Sequence, residues 1–138
     1  MDLDNPVLKL CQEGMLAEAE GRLPDARALF ERAWAARTDH YDACVAAHYL
    51  ARRQDDPADV LRWNQESLRH AEAVGDERVA ALYPSLLVSV AMAHERVGDI
   101  VAARAAFQRA AEHDGALPAE PYGEQLRAAI TDGLRRLT

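Results

Sequence analysis

Gly21-Arg-Leu-Pro-Asp-Ala-Arg-Ala-Leu-Phe-Glu-Arg-Ala33 returns later in the chain as Gly98-Asp-Ile-Val-Ala-Ala-Arg-Ala-Ala-Phe-Gln-Arg-Ala110. Gly21, Ala26, Arg27, Ala28, Phe30, Arg32 and Ala33 recur in register as Gly98, Ala103, Arg104, Ala105, Phe107, Arg109 and Ala110. Self-similarity at a fixed spacing is the mark of stacked supersecondary units. Each echo begins at a glycine and continues in small and apolar residues at helical spacing. That order reads as a turn followed by the second helix of a helix pair.

Working outward from the two echoes, cap and turn residues divide the chain into seven helical stretches. Asn5-Pro6 offers an N-cap and a first-turn proline for a helix to about Glu20. Gly21 closes it, and Pro24 opens a second helix to about Arg37. Thr38 or Asp39 caps a third, to about Arg53. Asp56-Pro57 starts a fourth, ending near Val74-Gly75. Asp76 caps the fifth, which Gly98 ends, and Asp99 caps the sixth, ending near Asp114-Gly115. A connector with Pro118 and Pro121 leads to the last helix, where Tyr122, Leu126, Ile130, Leu134 and Leu137 share one stripe. Pro84 leaves two readings of the fifth stretch: a short turn over 77–82 before a helix starting near Pro84, or one long helix kinked there. No segment alternates with period two, so no sheet is expected.

Composition agrees with close-packed helices. With 138 residues the chain reads as one domain able to bury a core without staples. Alanine is the commonest residue, and it combines the best helix propensity with the smallest obstruction to neighbouring backbones. The net charge of −7 argues against a nucleic-acid partner, whose phosphates call for a basic surface. Lys9 is the only lysine among the 16 basic residues, which with the alanine richness reads as the coding bias of a GC-rich genome. No apolar run suits a membrane span and no leader pattern is evident, so the expected location is cytoplasmic. Cys11 and Cys44 lack metal or redox spacing and read as buried, reduced thiols.

The helix pairs joined at Gly21, Asp55-Asp56-Pro57 and Gly98 resemble tetratricopeptide repeats (TPR). The first unit supplies Leu10, Gly14, Gly21, Ala26, Phe30 and Ala33 to the pattern. The third supplies Leu87, Ala91, Gly98, Ala103, Phe107 and Ala110. A degenerate middle unit places Cys44, His48, Asp55, Val60, Asn64 and Ser67 at the matching positions. Corners lie 34 residues apart from Gly21 to Asp55 and 43 from Asp55 to Gly98; the first is the standard repeat. The resemblance implies an all-α, short right-handed superhelix over 1–138, with units at about 5–37, 39–74 and 77–114 and a cap helix at about 119–137. Trp34 and Trp63 would pack between units or on the convex side.

The same resemblance implies a concave groove lined by the first helix of each unit. Leu8, Gln12, Met15 and Ala19 would come from the first unit. Asp42, Val45, Tyr49, Arg52 and Arg53 would come from the second, and Ser85, Val88, Ser89, Met92 and Arg96 from the third. Methionines and an aromatic suit an adaptable apolar segment, and arginines suit a carboxylate or phosphate. Against this stands a packing role for Met15 and Met92, and for Arg52 and Arg53 a role at a helix C-terminus paired with Asp55 and Asp56. The basic clamp of chaperone-linked TPR domains is not matched, since its positions fall on Cys11, Met15 and Val45.

Catalytic patterns are missing. His40, His48, His70, His94 and His113 form no metal-ligand motif, and no phosphate loop, dinucleotide fingerprint or nucleophile elbow is present. The expectation is therefore a non-enzymatic module without cofactor or metal, away from nucleic acid and membrane, holding a partner peptide in its groove. A small-molecule-binding or helper protein and a homodimerising structural module are the alternatives.

Overall fold

The computed structural model describes residues 4–113 and 122–137. Among these all the regular structure is helical, without strands. The helices are α1 (Pro6–Ala19), α2 (Leu23–Ala35), α3 (His40–Arg52), α4 (Pro57–Val74), α5 (Glu77–Ala80), α6 (Tyr83–Arg96), α7 (Ile100–Glu112) and α8 (Tyr122–Arg136). They group into two compact units that divide between Val74 and Gly75. The expected stop near Asp114-Gly115, the prolines Pro118 and Pro121 and the expected start of the cap helix near 119 lie outside the described residues.

Local chemistry sets the helix boundaries. Asn5, Asp39, Asp76 and Asp99 each turn a side-chain oxygen onto a backbone N–H of the first turn that follows, at 2.8–3.1 Å. These donors have no partner inside the helix, so each cap removes a desolvation cost. Both echo corners close in the same way. Arg22 N–H donates to Ala17 O and Asp99 N–H to His94 O, each at 2.9 Å, while Gly21 and Gly98 take φ of 77° and 86°. That left-handed turn is inexpensive for glycine alone.

Among the described residues there are eight helices where the cap signals give seven, because the fifth stretch is broken. α5 is a single turn, and α6 begins afresh with Pro84 in its first turn. The continuous, kinked helix is thereby replaced by the turn-then-helix reading. A proline clashes with the carbonyl four residues earlier, here that of Ala80, and α5 ends at that residue.

In the first unit α1 packs on α2 and α3 on α4, and α3 also lies against both α1 and α2. Ala17, Ala26, Phe30 and Leu50 make one core cluster, and Val7, Leu8, Cys11, Ala33, Val45 and Ala46 another. Phe30 is wholly buried over Gly14, where a Cβ would come within 2.2 Å of its ring. In the second unit α6 packs on α7, and α8 lies against both. Phe107 is equally buried, over Gly133 of α8 at 2.4 Å from a built Cβ.

The two units share a three-helix plan, α1–α2–α3 and α6–α7–α8. Arg27 of α2 donates to Arg53 O at the end of α3 (3.4 Å), and Arg104 of α7 donates to Leu137 O at the end of α8 (3.2 Å). Each repeated arginine thus satisfies an orphan carbonyl at the next helix's C-terminus. Phe30 stacks on Tyr49 four residues before Arg53, and Phe107 meets Gly133 four residues before Leu137. The helix α8 therefore stands in the register of α3. On α3 the residues Ala43, Cys44, Ala47 and Ala51 are buried, with Cys44 against Ser67 of α4. The same register positions of α8 are Arg127, Ala128, Thr131 and Arg135, and all four are exposed.

Candidate functional site

The candidate residues lie on the first helix of each pair. In the first unit Gln12 and Met15 are exposed on α1, Met15 to 38 %. On α3, Tyr49 is half-buried and stacks on Phe30 with ring centroids 5.3 Å apart. Val45 sits in the core with Val7, Cys11 and Ala33, so it backs this face instead of forming it. Asp42 is also core. Its carboxylate accepts from Asn5 Nδ2 (2.8 Å) and from the N–H and hydroxyl of Thr38 (3.1 and 3.0 Å), tying the starts of α1 and α3 together. A carboxylate so satisfied has a structural task already.

On α6 of the second unit Ser85 and Ser89 are half-buried, Val88 is buried, and Met92 and Arg96 are exposed, Met92 to 50 %. Met15 lies six residues before the corner glycine Gly21, and Met92 six before Gly98. The two exposed methionines thus hold one repeat position. An unbranched thioether in the open is an adaptable contact for an apolar partner.

The arginines behave differently from the sequence expectation. Arg52 and Arg53 pair with Glu18 of α1 at 2.9 Å each, not with Asp55 and Asp56, and the Glu18 side chain is only 9 % exposed. Arg52 also lies over the Tyr49 ring, 5.4 Å from its centroid. The second unit repeats this bridge, with Glu95 of α6 meeting Arg136 of α8 through two contacts of 2.8 and 3.0 Å. Glu18 and Glu95 each lie three residues before a corner glycine; Arg52 and Arg136 each lie three after the residue under the phenylalanine. Arg52 and Arg136 are thus fasteners between successive first helices. The bridge escaped sequence reasoning, although the recurring glutamate was a visible signal for it.

The shifts of the two thiols and of His48 all favour their neutral forms. Burial pushes the Cys11 thiol up to about 12, with the Asp42 carboxylate adding to the effect. Burial likewise raises Cys44, only partly offset by its contact with Ser67. Both sulfurs are protonated thiols at neutral pH. His48 is driven down to about 4 by burial and then by nearby Arg52, so its ring is neutral. His94 holds its Nδ1 buried without a hydrogen-bond partner, so that nitrogen is not joined to Ser85 or Ser89. Among the described residues no group of three or more metal-ligating side chains converges.

A cleft in the first unit lies outside the residues that the sequence singles out. Arg27, Glu31, Trp34, Leu50, Gln54, Asp59, Arg62 and Trp63 surround a cleft of about 470 Å³. Trp34 and Trp63 meet edge to face at 5.0 Å, and both pack on the core. Arg27 pairs with Glu31 and Arg62 with Asp59 along the rim, so the cleft carries balanced charge.

No family model matches this chain, and comparison with curated proteins and with solved structures likewise finds no match.

Proposed function

We propose that this protein is a non-enzymatic, TPR-type interaction module that receives a peptide segment of a partner protein on its first-helix faces. The observation that carries the reading is the pair of exposed methionines, Met15 and Met92, at one repeat position of α1 and α6. Gln12, Tyr49, Ser85 and Ser89 supply neighbouring polar and aromatic contacts, while Val45 and Val88 support the face from beneath. Arg96 is the arginine best suited to orient an acidic group. Arg52 and Arg53 serve that purpose only after Glu18 is displaced.

The right-handed TPR superhelix is part of this proposal. Its support is the shared plan of α1–α2–α3 and α6–α7–α8, with the same glycine corner, buried phenylalanine, arginine cap and glutamate–arginine bridge in each. Two buried, protonated thiols suit a reducing cytoplasm, where we place its action.

Partner capture from the native cell extract by immobilised protein tests the reading. Met15→Glu with Met92→Glu is expected to reduce recovery of the captured protein at least about tenfold, as befits the loss of a central apolar anchor. Gln108→Glu, on the exposed side of α7, should leave it unchanged. Equal recovery by both variants overturns the assignment of the face. A concentration-dependent dimer mass in light scattering, lost in the double methionine variant, would favour self-association on that face instead.

A further inference from the structure

His40 is the first residue of α3, and His70 lies four residues before the end of α4. The chain joins these helices at their other ends, over residues 53–56, so the two histidines meet at the open end of a helix hairpin. Their Nδ1 atoms are 2.9 Å apart and their ring centroids 5.1 Å. An approach this short is a hydrogen bond, and a third side chain decides which ring donates. Arg69 reaches Nε2 of His70 at 3.2 Å, and a guanidinium only donates. Nε2 of His70 is therefore an acceptor, its Nδ1 carries the proton, and that N–H donates to Nδ1 of His40. The remaining proton of His40 sits on Nε2.

The surroundings give this bond a two-step response to acid. Nε2 of His70 also lies 3.3 Å from Glu66 Oε1. A first proton on that nitrogen exchanges the contact with Arg69 for one with Glu66 and leaves the bond between the rings intact. A second proton, on Nδ1 of His40, sets two N–H groups and two positive rings against each other, and the bond breaks. Arg69 stays paired with Glu66 throughout, and that pairing holds the Glu66 carboxyl below its usual range, so it remains charged in mild acid. From α2 comes the edge of Trp34, with Arg37 over its ring at 3.9 Å from the centroid. Asp39 on the near side of His40 is occupied as the cap of α3, and Asp42 is held by Asn5 and Thr38.

We propose that the hydrogen bond between His40 and His70 is an acid-opened latch, fastening the first turn of α3 to the last turns of α4. Burial, and then Arg69, keeps the His70 ring below the ordinary imidazole range. The latch is therefore complete at neutral pH and lost as pH falls, as for any base that folding keeps neutral. Its opening frees the end of α4, where the first unit itself ends. It uses no residue of the peptide-binding faces.

Amide hydrogen exchange of the full chain, followed by NMR, reads the latch. Between pH 7.5 and 4.5, corrected for intrinsic exchange, protection of the α4 amides at 71–74 is expected to fall about tenfold, roughly the worth of one hydrogen bond. His40→Ala removes the acceptor at every pH, so protection there should be low at both values and the fall should vanish. His40 is exposed, so the variant leaves the core intact, and His48 is present in both proteins, which makes its own acid sensitivity common to them. Imidazole nitrogen spectra at pH 7.5 should place the protons on Nδ1 of His70 and Nε2 of His40. Equal protection at both pH values in the native chain, the same fall in His40→Ala, or a His70 proton on Nε2 at pH 7.5 overturns the proposal.

Discussion

The three-helix sets α1–α2–α3 and α6–α7–α8 are built on one plan and finished differently. Both bury a phenylalanine over a helical glycine, but the glycine is on the preceding helix in one set and on the following helix in the other. Phe30 sits on Gly14 of α1 and leaves its other side for Tyr49 of α3. Phe107 sits on Gly133 of α8, at the position that Tyr49 fills on α3. The position matching Gly14 on α6 is Ala91, wholly buried. One gap beside each ring is therefore required, and either neighbour can supply it. What recurs is the volume available to the ring, not the residue that provides it.

The sharpest way to break this comparison is to empty the two rings. Phe30→Ala and Phe107→Ala should each cost about 3–5 kcal/mol in urea denaturation followed by circular dichroism. Phe30→Ala is expected to be worse by about 1 kcal/mol, because the stack on Tyr49 is lost as well. Equal losses would mean that the Tyr49 stack adds nothing beyond buried area.

The next difference is titratable. α3 carries the half-buried His48 one residue before Tyr49, and α8 carries the exposed Asp132 one residue before Gly133. Burial lowers His48 from 6.5 to about 4. Between those values the unfolded chain takes up a proton that the folded chain refuses, so stability falls as pH falls. The contribution is complete above pH 6.5 and lost by pH 4, and it amounts to about 3 kcal/mol over that interval. Burial first, and then Arg69, lowers His70 in the same direction. Urea midpoints at pH 7 and pH 4.5 should therefore lie closer together in His48→Gln than in the native chain without becoming equal. An unchanged gap would place His48 outside the acid sensitivity.

The smallest expected contrast lies in the glutamate bridges. Glu18 is nearly enclosed and faces two arginines; Glu95 is 27 % exposed and faces one. Glu18→Gln should cost about 1–3 kcal/mol, because two guanidinium groups lose their shared counter-charge. Glu95→Gln should cost less and fade as salt is raised, as exposed pairs do. Thermal melts at low and high salt separate the two, and matching losses would show the bridges to be equivalent.

The parts of the fold that were legible in the sequence are those whose chemistry is local. Gly21 and Gly98, Asn5, Asp39, Asp76 and Asp99 announce turns and caps because each acts on backbone within a few residues. The buried alanines and phenylalanines of the echo were legible because they repeat. The bridges from Glu18 to Arg52 and from Glu95 to Arg136 were harder to see. The connector after α7 is longer in sequence than the one after α2, so α8 falls out of step with the echo although its contacts match those of α3. Arg52 and Arg53 had acidic neighbours in sequence at Asp55 and Asp56, yet Glu18 of the adjacent helix holds them. His40 and His70, like Trp34 and Trp63, meet only through the packing of three helices, and no spacing rule reaches that far.

The exposed face of α8 decides how such a chain is able to lengthen. A helix in the place of α4 rests on Ala43, Cys44, Ala47 and Ala51, a seat of small, dry side chains. On α8 that seat is Arg127, Ala128, Thr131 and Arg135, where an added helix would bury two guanidinium stems and a hydroxyl. A further helix resting on α8 as α4 rests on α3 would therefore meet a desolvation cost that α4 does not.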